Sequence, residues 1–150
     1  MVELQRTNSS NNDFEELVKL LDADLRIKDG DDHAFYAQFN KLDTINHVVL
    51  ALYEDIPVGC GAFKPFSDQA VEIKRMFVHP DYRGRGIAQK ILSDLEKWAA
   101  EIGCQTCVLE TGQKQMEAIQ LYLKTGYQRI PNYGQYEGIE NSICMKKDLY

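Results

Sequence analysis

The chain runs from Val78-His79-Pro80-Asp81-Tyr82 into Arg83-Gly84-Arg85-Gly86-Ile87-Ala88. A strand that feeds a glycine-rich turn and then a helix is a device for holding an anion. The first N–H groups of a helix lack intrahelical acceptors and lie at the positive end of its dipole. Gly84 and Gly86 let backbone approach a phosphate without an intervening Cβ, and Arg83 and Arg85 add charge. Two familiar phosphate signatures do not fit. Gln89 stands where a dinucleotide fingerprint needs its third glycine, and the Lys-Ser or Lys-Thr of a P-loop is missing. The backbone and charge of Arg83 to Ala88 can thus form a local cradle for a diphosphate.

The other reactive types are Cys60, Cys104, Cys107 and Cys144. Cys104 and Cys107 have CxxC spacing. A zinc site needs a second ligand pair, and His33, His47 and His79 are scattered. A thioredoxin-type motif precedes a helix, whereas Cys107 leads into an apolar strand pattern. The cysteines are read as free structural thiols, and no metal is expected.

These groups need a scaffold. Val2 to Arg6 suits a short strand, and Asn11-Asn12-Asp13 can cap a helix carrying Phe14, Leu17, Val18, Leu21 and Leu25 at helical spacing. The run from Lys28 to Asp32 breaks it, and a second helical piece is expected over His33 to Lys41. His47 to Tyr53, Val58 to Lys64 and Ala70 to Val78 read as a meander of strands joined by turns at Glu54-Asp55-Ile56-Pro57 and Ser67-Asp68-Gln69. Strict alternation would place Val71, Ile73 and Phe77 on one face, and Glu72, Lys74, Met76 and Val78 on the other. The glycine turn starts a long helix with Ile87, Ile91, Leu92, Leu95, Trp98, Ala99 and Ile102 along one stripe, stopped by Gly103. Gln105 to Glu110 follows as a buried strand, so strand, helix and strand should form a parallel crossover. Gln115 to Thr125 is a further helix. Tyr127 to Ile130 and Asn141 to Lys147 are the last strands, with a Gly/Tyr loop between them.

Composition narrows the function. The chain has 150 residues, 17 Lys plus Arg against 23 Asp plus Glu, and a net charge of -6. The length suits one domain over residues 1–150. An acidic balance argues against nucleic-acid partners. The absence of a long apolar stretch or apolar leader argues against a membrane partner and for a cytoplasmic location.

With Arg83 to Ala88 in place, the sequence resembles the GCN5-related N-acetyltransferases, the GNAT family. Glu72-Ile-Lys-Arg-Met-Phe-Val78-His-Pro is similar to that family's fourth strand. Glu110-Thr111, then Ala118, Leu121-Tyr122 and Gly126-Tyr127, resemble its later strand, helix and strand. The likeness covers roughly Val48 to Lys147. It implies an α/β fold: a mixed, mostly antiparallel sheet flanked by helices around a central strand–helix–strand unit for the cofactor. The implied co-substrate is acetyl-coenzyme A. Backbone N–H groups of Arg83, Gly84, Arg85, Gly86, Ile87 and Ala88 would hold its diphosphate. Main-chain groups of Phe77 and Val78 would meet the pantetheine arm, which the family admits through a splay between its fourth and fifth strands. Gln115 takes the place of a cofactor-contacting Asn.

The implied activity is transfer of acetyl to a primary amine of a small molecule or peptide by direct attack, without an acyl-enzyme. A protonated amine has no lone pair, so a base helps; Glu72 matches the family's base position, acting directly or through water. The departing thiolate benefits from a proton donor, and Tyr122 matches the family's general acid. Val78 is the implied backbone donor to the developing oxyanion. Alternatives stay open: another acyl-coenzyme A, or a non-catalytic acyl-coenzyme A-binding module. Glu72 would otherwise pair with Lys64 or Lys74 across or along the sheet. Lys74-Arg75 reads as a solvated pair unless it faces the diphosphate. The acidic run Asp22, Asp24, Asp29, Asp31 and Asp32 would favour a cationic amine if it walls the acceptor cleft, with Asp22 as the contact; otherwise it is a solvated helix end. Tyr133 and Tyr136 sit in a loop suited to covering the acceptor. A homodimer through the C-terminal strands is compatible with the resemblance.

Overall fold

The structure is a computed structural model that describes residues 1–29 and 44–149. In chain order it contains β1 (Val2–Thr7), α1 (Asn12–Asp29), β2 (His47–Tyr53), β3 (Ile56–Ser67), β4 (Ala70–Val78), α2 (Ile87–Glu101), β5 (Thr106–Gly112), α3 (Met116–Lys124), β6 (Gln128–Ile130) and β7 (Ser142–Asp148). Short 3-10 turns occupy Pro80–Tyr82 and Gly134–Tyr136. The helix expected over His33 to Lys41 lies outside the described residues. Among the described residues no helix is long and apolar enough to cross a membrane.

The strands form one seven-stranded sheet in the order β1-β2-β3-β4-β5-β7-β6. Every pairing is antiparallel except β4 with β5. That parallel pair is joined through α2, the crossover the hydrophobic pattern demands, because neighbouring parallel strands need a long return connection. The β2–β3 hairpin turns at Glu54 and Asp55, both at positive φ (49° and 68°). Two positive-φ central residues match the twist of a tight hairpin, so β3 starts at Ile56, earlier than the proline at 57 suggested.

Both faces of the sheet are covered. On one, Ile87, Ile91, Leu92, Leu95 and Ala99 of α2 pack against Val49, Ala51, Phe63, Val71, Ile73, Cys107, Leu109 and Met145. On the other, Phe14, Leu17, Val18 and Leu21 of α1 pack against Val48, Leu50, Cys60, Ala62 and Phe77. Asn11 caps α1 as its position promised, its Oδ1 accepting the Phe14 N–H at 3.0 Å. Ile102 departs from the expected stripe, whereas Trp98 packs, partly buried, against the core as expected. Ile102 is 49% exposed, and Trp98 lies at the sheet margin, edge-on to His47 and Phe63 and beneath the Arg6 guanidinium. Ile102 lies just past the end of α2 at Glu101, whereas Ala99 in the last turn is still fully buried.

Strict alternation in β4 also fails. Val71 and Ile73 join the α2 face as expected, but so does Val78, while Phe77 joins the α1 face. The register with β3 slips between Cys60 and Ala62, which face Phe77 and Lys74. Arg75 sits in that slip at φ 60°. One extra residue in one strand is a bulge, and a bulge inverts the in–out order beyond it. Positive φ is costly for a residue with a Cβ, so the surrounding structure must hold Arg75 in it.

Candidate active site

The bulge has a neighbour on its other side. β4 pairs with β5 only at Ala70, Val71 and Glu72, opposite Thr106, Cys107 and Val108. Past that point β4 continues along β3 to Val78 while β5 continues along β7 to Gly112. The two middle strands therefore splay. A cleft of about 480 Å³ opens in the gap, a size suited to a small-molecule or cofactor site. It runs from the start of α2 across β4 and β5 to α1, α3 and the turn at Tyr136.

The α2 end of the cleft is the predicted anion cradle. Gly84 and Gly86 have φ of 81° and 76°, and Gly86 caps α2 without a side-chain hydrogen bond. A Cβ on either glycine would meet no protein atom within 4 Å. The space beside them is thus open, and Gly84, Gly86, Ile87, Ala88 and Gln89 line it. Those features fit a diphosphate group. The two arginines diverge. The Arg83 Nε donates to the Val78 carbonyl at 2.8 Å, and its Nη2 lies 3.6 Å from Asp24 Oδ2; the side chain braces the loop at the rim. The Arg85 guanidinium lies over Tyr82 and Tyr53, 5.2 and 5.9 Å from their ring centres, and Arg85 does not line the cleft, in contrast to what its charge implied. An intervening glycine in the left-handed region turns the two side chains apart.

Beyond the cradle, Phe77 and Val78 line the cleft, and Gln115 faces it from the position capping α3. The half of β4 past Glu72 has no β5 partner, so an extended ligand with amide groups can add along it like a strand. Tyr122 projects from α3 into the cleft and is 6% exposed. Burial, with the Glu110 carboxylate adding to it, holds its hydroxyl above the ordinary tyrosine value.

Glu72 is also buried, at 6%, but it sits behind the cleft wall. Its Oε2 accepts a hydrogen bond from the Tyr133 hydroxyl at 2.7 Å. Tyr133 packs edge-on to Phe66 and Tyr136, and Tyr136 is 2% exposed and lines the cleft. The tyrosine loop is therefore already seated as a wall, with one ring bonded to Glu72. On α1, Asp24, Leu21, Leu25 and Lys28 face the cleft one helical turn apart, whereas Asp22 does not; its position on the helix turns it aside.

Three side chains were missed by sequence reasoning. Lys74 and Arg75 are not a solvated pair: Arg75 is 7% exposed and both line the cleft. Glu110 lines it too, from β5 on the sheet face opposite Cys107 and Leu109. A carboxylate inside an otherwise apolar strand was the available signal, because such groups are rarely buried without a reason. The cysteines are free; Cys60, Cys107 and Cys144 are buried. Among the described residues no cluster of His, Cys, Asp and Glu is arranged to hold a metal ion.

Comparison with known proteins agrees with this geometry. The chain is 38% identical over 93 residues to an IAA acetyltransferase of Azospirillum brasilense, spanning 61% of each protein. A solved Klebsiella pneumoniae protein, provisionally assigned as an acyl-CoA N-acyltransferase, superposes with a TM-score of 0.85 at 29% identity over 100% of this chain and 99% of that one. The PaiA N-acetyltransferase of Thermoplasma acidophilum, solved with coenzyme A, shares the fold with a TM-score of 0.69 at 18% identity, each chain covered to 99%. The sequence model of the acetyltransferase (GNAT) family matches residues 14–127, and on that match, over most of its length, the chain belongs to the GNAT family of acetyltransferases.

Proposed function

We propose that the protein is an acetyl-coenzyme A-dependent N-acetyltransferase acting on a primary amine, with residues 1–150 working as one domain. The observation that carries this reading is the coincidence, in one cleft, of a side-chain-free helix start, a strand half left without its partner, and a buried tyrosine hydroxyl. Acetyl-coenzyme A would supply the activated thioester. The N–H groups from Arg83 to Ala88 would hold its diphosphate, and the open main chain at Phe77 and Val78 its pantetheine arm.

The chain's own groups then manage protons. An amine with a pKa of about 10.4 is neutral in only about one molecule in a few thousand at pH 7. Glu72 would take the surplus proton. Because it is reached through the Tyr133 hydroxyl, the route is a relay through that hydroxyl or a water. Tyr122, held protonated by burial, would donate to the departing sulfur. A thiol has a pKa of about 8.5, below that of this tyrosine, so Tyr122 would stabilise the thiolate by hydrogen bonding and not by complete transfer.

The test is release of free coenzyme A thiol across a panel of amines, with coenzyme A binding measured separately by calorimetry. Replacing Tyr122 by Phe or Glu72 by Gln should each lower turnover, by about 10²–10⁴-fold where the proton step limits, with binding retained. Full turnover in both variants would remove their assignment. Binding without turnover of any amine would favour the non-catalytic acyl-coenzyme A module.

A further inference from the structure

The acidic run on α1 suggested a cationic acceptor, yet the structure assembles different electrostatics. Asp24, the carboxylate of that helix that faces the cleft, is answered twice: Lys28 Nζ lies 2.9 Å from its Oδ2 and Arg83 Nη2 lies 3.6 Å away. Its charge is not left to attract an ammonium group. In a chain of net charge -6, the side chains lining the cleft comprise, among the described residues, five basic and three acidic ones. Two of the basic ones, Arg83 and Lys28, hold Asp24. A cation elsewhere in the cleft is placed differently.

Lys74 precedes the bulge in β4, so it shares the sheet face of Glu72, and Glu110 reaches the same face from β5 across the splay. Lys74 is half-buried and lines the cleft. Glu72 and Glu110 exert their fields on it, as do the cations Lys64 and Arg75. Among the described residues its ammonium makes no hydrogen bond and has no carboxylate within ion-pair distance. Desolvation outweighs the two carboxylates and disfavours its ammonium form. A partly dehydrated cation that turns into a cleft, with no anion of the described residues at contact distance, is complementary to an anion that arrives with a ligand. Glu110 lines the same pouch from β5. Leu21 and Leu25 of α1 supply an apolar wall beside them.

Resting on the acetyltransferase reading above, we infer that the acceptor is an amino acid: its carboxylate is held by Lys74, and its apolar side chain lies along Leu21 and Leu25. Lys74 is thereby the residue that sets acceptor class.

The test uses matched acceptors: leucine, methionine and phenylalanine, each with its carboxamide and its decarboxylated amine, assayed by coenzyme A thiol release. The acids should exceed the amides in kcat/KM by about 10- to 100-fold, the scale of a charge-assisted hydrogen bond. The amide's more acidic ammonium group biases the comparison against this result. Lys74→Met should bring the acid-to-amide ratio close to one, and Lys74→Arg should keep part of it; coenzyme A affinity and the melting temperature show that each variant is folded. An unchanged ratio in Lys74→Met, or equal losses on acid and amide, would overturn the inference, the latter placing Lys74 at the thioester. Preference for amides or plain amines in the wild type would overturn it while leaving the transferase standing. Saturation-transfer NMR of phenylalanine with the coenzyme A-bound protein supplies a readout without turnover. Lys74-dependent binding with no acetylation would keep the carboxylate anchor and sink the acyl transfer. Neither binding nor acetylation would overturn both.

Discussion

Replacing Gly86 by Ala tests the anion cradle at the start of α2. Gly86 has φ 76° and ψ 13°, a left-handed conformation that costs a residue with a Cβ roughly 1–2 kcal/mol. In a chain of this length that lowers the melting temperature by about 2–4 °C per kcal/mol. The larger effect concerns the ligand. The added methyl would meet no protein atom within 4 Å, so it would stand in the open space of the cleft at the first turn of α2, where a phosphate would approach. Losing or lengthening one hydrogen bond to a charged group is worth about 1.5–3 kcal/mol, so the Kd for coenzyme A should rise by about 10- to 100-fold. Pantetheine lacks the diphosphate, and its affinity should stay as it is. Gly103 offers the control: it has φ 94° and an equally open Cβ site, but it follows the far end of α2. Gly103→Ala should show the loss of melting temperature and no change in coenzyme A affinity. Calorimetric titration of both ligands into both variants decides. Coenzyme A binding unaffected by Gly86→Ala, or pantetheine weakened in step with it, would refute the placement of the diphosphate.

Other outcomes follow from the same geometry. A methyl at Gly61 would lie 2.5 Å from Met76 Sδ, 2.8 Å from Ile91 Cγ2 and 2.9 Å from Leu95 Cδ1. Gly61→Ala should therefore cost about 1–3 kcal/mol by overpacking, seen as a lower melting temperature, with weaker coenzyme A binding as α2 is pushed away. Lys74 has a lowered pKa in the folded protein, chiefly from burial, so its charged form opposes folding below that pKa and ceases to do so above the unfolded value of about 10.4. Lys74→Met should consequently raise the melting temperature near neutral pH, and the gain should shrink as pH rises through that window. Burial holds the Cys60 and Cys107 thiols up at about 12. A thiol reagent applied to the native protein at mild alkaline pH should thus label Cys104 first, with the other cysteines following only on unfolding. Tyr133→Phe removes the donor to Glu72; if Tyr133 relays the amine's proton, kcat should fall while the KM for acetyl-coenzyme A is unchanged, and an unchanged kcat would place the relay on water.

Much of this molecule is local and was legible in the residues. Helical spacing from Phe14 to Leu25 located the buried face of α1, and the alternating apolar runs after His47 located β2 to β4, because periodicity reports which side of an element meets the core. The Arg83 to Ala88 turn revealed its cradle for a similar reason: two glycines, a strand before and a strong helix after are all contiguous in the chain. Other features have no local signature. Nothing in Lys74-Arg75-Met76 announces that Arg75 takes φ 60°, since bulging depends on the strand alongside. The splay exists only because β4 and β5 part beyond Glu72 and Val108, and their partners lie far away in sequence. Glu110, Lys74, Asp24 and Tyr136 come from four separate segments and meet only in the cleft. Arg85 and Asp22 had the charges that suited the site, yet backbone direction turned both away from it. Residue type and spacing thus determined which elements form and where an anion could be held; the gap between two strands, and which charges face into it, were decided by tertiary pairing, because distance in space is what electrostatics and catalysis read.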